Sequence, residues 1–110
     1  MKIYSRVIVA FMMIVLISSC NKDDDNTKPW IVLKGYNPAY AQLNEPYVDS
    51  GAMAFDLNDY GDTIDISSKI VVENNVNTAD TGKYYVKYNV EDEAGNKADE
   101  VFRTVYVRIF

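Results

Sequence analysis

Residues 80–90 constrain the fold more than any other stretch, because a turn there leads directly into an alternating run. One set of side chains in this run points to one side: Tyr84, Val86, Tyr88 and Val90. The intervening residues point to the other: Tyr85, Lys87 and Asn89. A period of two is typical of a β-strand with one buried face and one face in water. We therefore predict a strand whose buried face, the inner row, is the first set.

The rest of the chain after residue 28 favours an all-β domain. Short runs rich in β-branched and aromatic residues are separated by turn-forming Gly, Pro, Asn and Asp. No stretch of this region keeps a 3.6-residue period. Many short strands with regular turn signals predict an immunoglobulin-like β-sandwich of about seven strands over residues 29–110. A segment of about 80 residues is long enough for one small core.

The last strand is expected over residues 98–109. Four of its apolar residues share one phase: Val101, Val105, Val107 and Ile109. Phe102 is out of phase with the later valines, so we predict a β-bulge near residues 100–103. At the start of the domain, Trp30 is expected to cover the base of the core.

Residues 1–19 have the composition of a secretory signal peptide. Lys2 and Arg6 precede an uninterrupted apolar run over residues 7–17. This run is shorter than the about 20 apolar residues that span a bilayer, which disfavours the alternative of an uncleaved anchor helix. The sequence Leu-Ile-Ser-Ser-Cys at its end resembles the bacterial lipobox, which implies lipidation of Cys20. Cys20 is also the single cysteine of the chain.

Residues 20–28 are polar and acidic, and such a segment is expected to form a solvated linker because it cannot bury enough apolar area. Lys22 is followed at once by three acidic residues: Asp23, Asp24 and Asp25. A lysine and acids directly after a lipidated cysteine resemble the surface-export signal of Bacteroidetes lipoproteins. The resemblance implies a lipid anchor in the outer membrane and exposure at the cell surface.

The charge balance argues against nucleic acid as a partner. The chain has 11 basic and 16 acidic residues, and removal of residues 1–19 would take away only Lys2 and Arg6, which leaves a net charge of −7. Nucleic-acid phosphates require basic patches, whereas an acidic surface suits a protein exposed outside the cell.

Two resemblances make the fold prediction more specific. Asp80, Gly82 and Tyr84 resemble the tyrosine corner of immunoglobulin-like sandwiches, with Val86 where antibody domains have a cysteine. Three further segments resemble signatures of the bacterial Ig-like domain family of surface proteins, which also occurs in insecticidal crystal toxins. These segments are residues 47–54, residues 81–88, and residues 92–98 together with 103–107, and in the first of them Ser50 replaces the usual proline. The resemblance covers about residues 30–109 and implies a structural module rather than one particular activity.

The sequence has few of the side chains that usually serve as catalytic groups, so we predict that the protein is not an enzyme. The chain has no histidine, the usual general base at neutral pH. Lipidation of Cys20 would also remove its only thiol. Acidic residues are abundant, but a sandwich this small offers no obvious deep cleft for a pair of catalytic carboxylates.

Calcium is the one cofactor that the sequence makes a candidate. Oxygen-bearing side chains crowd the stretch that follows Phe55: Asp56, Asn58, Asp59, Asp62 and Asp65. Hard oxygen ligands in a flexible loop suit calcium. The spacing imitates the start of an EF-hand loop, but Ser67 takes the place of the bidentate glutamate and no helices flank the loop. A looser site, completed by Asp49 or Asp92, and a solvated turn with no metal remain the two alternatives.

Exposed tyrosines provide a second candidate site. Tyr85 and Tyr106 are out of phase with the valines of their strands, and Tyr36, Tyr40 and Tyr60 lie in turns or short strands. Such side chains stack on sugar rings or fill protein interfaces, although cross-strand pairing on a solvent face explains them equally well. Asp62-Thr63-Ile64 also resembles the acceptor triplet for O-glycosylation in Bacteroides relatives, with Thr63 as the acceptor.

The sequence therefore predicts a surface lipoprotein with one Ig-like domain, anchored to the membrane by lipid. Its leading function is a non-catalytic binding or adhesion module for a glycan or a surface protein. The alternatives are an accessory or spacer subunit of an outer-membrane complex and a calcium-stabilised module.

Overall fold

A computed structural model describes residues 27–110, which form an all-β sandwich with seven strands. The first sheet contains β1 (Trp30–Leu33), β3 (Ala52–Leu57) and β4 (Thr63–Asp65), in the order β1-β3-β4. The second contains β2 (Ala39–Gln42), β5 (Val71–Asn74), β6 (Gly82–Asn89) and β7 (Val101–Arg108), in the order β2-β7-β6-β5. The predicted fold class is confirmed. No helix within the described range is long and apolar enough to cross a bilayer.

The predicted alternation in β6 is confirmed, because the inner row faces the opposite sheet. Val86, Tyr88 and Val90 are buried, and Tyr84 is partly buried against them. From the neighbouring β7, Val105 and Val107 join this row in the core, and Ala54 does so from the facing sheet. The two sheets therefore enclose one hydrophobic core.

The tyrosine corner is present. The Tyr84 hydroxyl donates a hydrogen bond to the Asp80 carbonyl oxygen at 2.9 Å. Gly82 has φ of +153°, and the Tyr84 ring lies 3.8 Å from where a β-carbon would stand on it. The bond ties the turn before β6 to the strand itself.

Removal of this bond is expected to lower stability modestly. Tyr84→Phe keeps the ring but removes the hydroxyl, so we expect a loss of about 0.5–1.5 kcal/mol of unfolding free energy in urea titrations. Tyr60→Phe is the control, because the Tyr60 hydroxyl forms no hydrogen bond within residues 27–110 and its side chain is 89% exposed. An equal loss in both variants would contradict a role for the corner.

Two details of the sequence prediction are wrong. Trp30 does not cover the core: it is 39% exposed and packs on Phe55 across the outer side of the first sheet, with the ring centroids 6.0 Å apart. Ile31, the next residue, is the buried one. Ile109 lies beyond the end of β7 and is 70% exposed.

A bulge is present close to the predicted position, at the end of the predicted range that is nearer the hairpin loop. The register between β6 and β7 is continuous over Val101–Val107, so residues 101–103 contain no extra residue. Closer to the hairpin loop, Lys97 pairs with Glu91 and the Ala98 N–H bonds the Val90 carbonyl. Asn89 alone therefore faces both residue 99 and residue 100, and the bulge lies there.

The core contains a buried arginine that the sequence prediction missed. Arg103 is fully buried on the inner side of β7, between Val101 and Val105. Its Nη1 lies 2.9 Å and 3.1 Å from the two carboxylate oxygens of Asp49 and 3.1 Å from the Tyr88 hydroxyl oxygen. The Tyr88 hydroxyl in turn donates to Asp49. We name Asp49, Tyr88 and Arg103 the buried polar cluster.

The other guanidinium donors bind the backbone of the connecting loops. Nε donates to the Tyr36 carbonyl at 2.9 Å, and Nη2 donates to the carbonyls of Lys34 and Gly51. The second sheet is therefore linked to the β1–β2 and β2–β3 loops through one side chain. A planar guanidinium with five donors suits this task in a way that a lysine cannot.

Tyr47 is partly exposed and forms a hydrogen bond with the buried polar cluster. Its hydroxyl donates to Asp49 Oδ1 at 2.6 Å. Burial, and then the hydrogen bond and negative charge of Asp49, raise the pKa of Tyr47 well above its ordinary value, although Arg103 opposes the shift.

We expect this shift to appear as a loss of stability above about pH 10, the ordinary pKa of a tyrosine. Because the pKa of Tyr47 is higher in the folded state, its stabilising effect is complete below that pH and declines as the pH rises further. Thermal unfolding of Tyr47→Phe should therefore change less between pH 8 and pH 11 than that of the unmodified protein. Identical pH profiles for the two proteins would contradict this assignment.

Candidate functional site

The outer side of the four-stranded sheet carries a group of neighbouring aromatic and basic side chains. We name this surface the aromatic face. Its members are Tyr40 on β2, Lys83, Tyr85 and Lys87 on β6, and Phe102, Tyr106 and Arg108 on β7. They share one side because residues directly opposite each other on adjacent strands project to the same face.

One end of the aromatic face is a row across three strands. Lys83 lies opposite Tyr106, and Tyr106 lies opposite Tyr40. The Tyr40 and Tyr106 rings are stacked, with their centroids 5.7 Å apart. The Arg108 guanidinium carbon lies 4.3 Å from the Tyr40 centroid and 5.4 Å from that of Phe110, which holds this cation against two rings.

The other end of the aromatic face is a smaller aromatic pair. Tyr85 and Phe102 meet edge to face with their centroids 5.3 Å apart. Lys87 lies opposite Phe102 on one side and opposite Glu73 on the other. Glu100 lines a shallow pocket together with Tyr85, Lys87 and Phe102. Acidic groups therefore partly offset the positive charge at this end.

Tyr40 also borders a shallow groove of about 430 Å³ beside the sheet. The groove is lined by residues of the β1–β2 and β2–β3 connections, among them Tyr36, Tyr47 and Ser50. Tyr36 is 86% exposed at its rim. The aromatic surface therefore continues from the three-strand row past the edge of β2.

The structure separates the tyrosines that the sequence proposed as ligand contacts. Tyr85 and Tyr106 lie on the aromatic face, at its two ends. Tyr60 lies in the β3–β4 loop of the other sheet and is not part of this surface. Arg108 and Phe102 were missed because the sequence argument considered only tyrosines, although their alternation with the valines of β7 places them on the same side.

Three of the five residues proposed for calcium accept local hydrogen bonds: Asp56, Asn58 and Asp65. Asn58 Oδ1 accepts from the N–H groups of Tyr60 and Asp62, both at 2.9 Å. Asp56 is buried, and its Oδ1 accepts from the Leu57 N–H at 2.9 Å. Ser67 donates to Asp65, and these bonds lower the pKa of Asp65.

The loop lies beside a groove that also contains Asp92, lined by Asp59, Asp56 and Lys69 among others. Burial is the largest influence on the pKa of Asp92 and raises it, but hydrogen bonds from the Asn96 N–H and side-chain amide, from the Ala94 N–H and with Asp56 together leave this pKa below its ordinary value. In residues 27–110 no group of three or more acidic, histidine or cysteine side chains is arranged to hold a metal ion. The calcium site stays a prediction, and calorimetric titration with millimolar calcium would test it.

Two other predicted features belong to different parts of the chain. Cys20, Lys22, Asp23, Asp24 and Asp25, together with the signal peptide over 1–19, lie outside the described residues. Thr63, the proposed glycosylation acceptor, is exposed at the start of β4. Its modification stays a prediction that the intact mass of the exported protein would test.

Two sheets in this order, with a tyrosine corner, define an immunoglobulin-like β-sandwich with a free outer face. The chain belongs to the family described as bacterial surface protein, Ig-like domain, whose profile matches residues 31–107. This match confirms the family resemblance that the sequence motifs indicated.

Two known proteins share parts of this similarity. The pesticidal crystal protein Cry22Aa of Bacillus thuringiensis is 51% identical over 47 residues, which is 42% of this chain and 6% of that protein. The crystal structure of the lipoprotein BT2262 from Bacteroides thetaiotaomicron superposes with a TM-score of 0.56 at 24% identity, over 72% of this chain and 37% of that one. The chain therefore spans only a small part of each relative, and these similarities support the fold.

Proposed function

We propose that this protein is a lipid-anchored surface protein whose single Ig-like domain is a non-catalytic binding module. The observation that carries the proposal is the aromatic face, on which two ring pairs and three cations occupy the exposed side of one sheet. Tyr and Arg are among the side chains that most often dominate binding energy at protein interfaces.

The proposed location rests on the N-terminal sequence and on the family. A lipobox-like segment precedes Cys20, and the following Lys22 and acids resemble a surface-export signal. The domain itself belongs to a family of bacterial surface proteins. We propose anchoring of Cys20 in the outer membrane with the domain outside, so Cys20→Ser should release the protein from membranes.

The proposed binding function is tested with the full-length chain purified from membranes in detergent. Binding is measured on a glycan array and by capture of purified surface-protein candidates. We expect at least one glycan or protein to bind, and Tyr85→Ala or Tyr106→Ala to weaken this binding about tenfold or more. Tyr60→Ala is the matched control, since this exposed tyrosine lies off the aromatic face.

Two results would contradict the binding function. The first is a ligand whose binding depends on Tyr60 but not on Tyr85 or Tyr106. The second is the absence of any ligand combined with a stable membrane partner.

The second result would instead favour an accessory or spacer subunit. One observation supports this alternative: all four residues of β5 are exposed, and β5 is one of the two edge strands of the larger sheet. Such an edge has unpaired backbone groups that can receive a strand from another protein. Pull-down from solubilised outer membranes, with a Val72→Pro variant that blocks strand pairing, distinguishes this role from ligand binding.

A further inference from the structure

The basic residues of this acidic protein are unevenly distributed. Three of the eight basic residues in the described range, Lys28, Lys69 and Arg103, form ion pairs with carboxylates. Three others lie together on the aromatic face: Lys83, Lys87 and Arg108. Within residues 27–110 none of these three forms an ion pair, so the face combines aromatic rings with positive charge that is offset only in part, near Lys87.

The charge is concentrated at the end of the aromatic face that carries the three-strand row. Lys83 and Arg108 flank the stacked pair of Tyr40 and Tyr106 there, whereas Glu73 and Glu100 lie near Lys87 at the other end. The row of Lys83, Tyr106 and Tyr40 extends about 10 Å across two strand spacings. The groove beside Tyr40 lengthens this strip beyond the sheet edge.

The guanidinium of Arg108 packs against aromatic rings and has a geometry that suits a planar anion. Two aromatic rings contact its guanidinium, at 4.3 Å and 5.4 Å, and its side chain remains exposed. A guanidinium packed on rings loses less freedom on binding, and its N–H edge matches a carboxylate or a sulfate in two parallel hydrogen bonds. The neighbouring tyrosines offer apolar ring surface and hydroxyls to a sugar.

We infer that the ligand of the aromatic face is an anionic glycan, whose carboxylate or sulfate groups bind Arg108 and Lys83 while its sugar rings contact Tyr40 and Tyr106. This inference rests on the proposed binding function. The elongated strip has Lys83 and Arg108 beside its stacked rings, and this arrangement suits a linear polymer with repeated anions. An acidic protein partner is the competing outcome of the test.

The test uses the full-length chain in detergent and three immobilised polymers: polygalacturonate with carboxylates, dextran sulfate with sulfates, and neutral dextran. We expect binding to one or both polyanions, no binding to dextran, and weaker binding as salt screens the charges. Binding to polygalacturonate alone identifies a carboxylate site, and binding to dextran sulfate alone identifies a sulfate site.

Arg108→Gln should weaken polyanion binding about tenfold or more, because it removes a charge-assisted pair of hydrogen bonds. Arg108→Lys should lose part of this affinity, since it keeps the charge without the planar fork. Lys97→Gln is the matched control: it removes the same charge from an exposed residue at the opposite end of the β6–β7 hairpin. Circular dichroism confirms that each variant is folded.

Equal losses in Arg108→Gln and Lys97→Gln would overturn the inference, because they would indicate non-specific attraction. Binding of neutral dextran, or of an acidic protein alone, through Tyr106 would also overturn it and leave the proposed binding function intact. The absence of binding to these polymers, to the glycan array and to every protein candidate would overturn both.

Discussion

Arg103→Met is expected to remove most of the folding free energy of the domain. The change leaves Asp49 without its cationic partner and removes the guanidinium donors of the Lys34 and Tyr36 carbonyls. Loss of one partner of a buried ion pair costs about 3–5 kcal/mol. A domain of this size has a total stability of roughly 4–12 kcal/mol. Urea unfolding, followed by the fluorescence of the single tryptophan, Trp30, measures the loss.

Arg108→Met is the matched control, because this arginine lies on the same strand but is exposed. It should change the unfolding free energy by no more than about 1 kcal/mol, since its contacts are with exposed rings. Similar losses for the two variants would show that Arg103 does not hold the sheets and loops together.

Val86→Asp is expected to prevent folding altogether. Val86 is fully buried in the middle of β6, directly opposite Arg103, whose guanidinium already binds Asp49. A carboxylate at this position would lose its hydration and would compete with Asp49 for the one buried cation. The penalty for an unpaired buried ion is several kcal/mol, and the lost packing of the valine adds to it. Together these costs are comparable to the whole stability of the domain. Far-ultraviolet circular dichroism and hydrodynamic size would report an unfolded chain.

Lys83→Asp tests the same strand on its opposite side. This residue is exposed on the aromatic face, so its substitution should change stability by about 0.5 kcal/mol or less. A folded Val86→Asp variant, or an unfolded Lys83→Asp variant, would mean that the inner and outer sides of β6 are assigned the wrong way round.

Much of this architecture follows from local patterns. The period of two in β6 predicts which residues enter the core, and the turn before it predicts the bond between Tyr84 and Asp80. Both features depend on residues close together in the sequence. The absence of a cysteine at Val86 also indicates that no disulfide joins the sheets.

The buried polar cluster depends on residues that are far apart, and its site was not predictable from local patterns. Arg103 shares the phase of Val101 and Val105, but its charge favours an outward position when the strand is considered alone. Only the return of the β2–β3 loop brings Asp49 to its guanidinium, across 54 positions of sequence. The prediction for Trp30 is wrong for a similar reason, because its partner Phe55 lies on another strand.

The binding surface was predictable only in part. Alternation placed Tyr85 and Tyr106 outside the core, but it did not show that Tyr40 would stack on Tyr106. That contact requires the parallel pairing of β2 with β7, which brings a strand near the start of the domain beside the last one. Tyr60, similar in type, belongs to the other sheet.

Hydrogen exchange at the arginine side chains tests most directly whether the buried polar cluster closes the domain. The exchange rate of the Arg103 Nε–H is to be measured by nuclear magnetic resonance. The Nε–H of Arg108, which is exposed, serves as the internal reference. The Arg103 Nε–H bonds the Tyr36 carbonyl inside the core, so it should exchange only when the domain unfolds. Exchange of the Arg103 proton as fast as that of Arg108 would contradict the account.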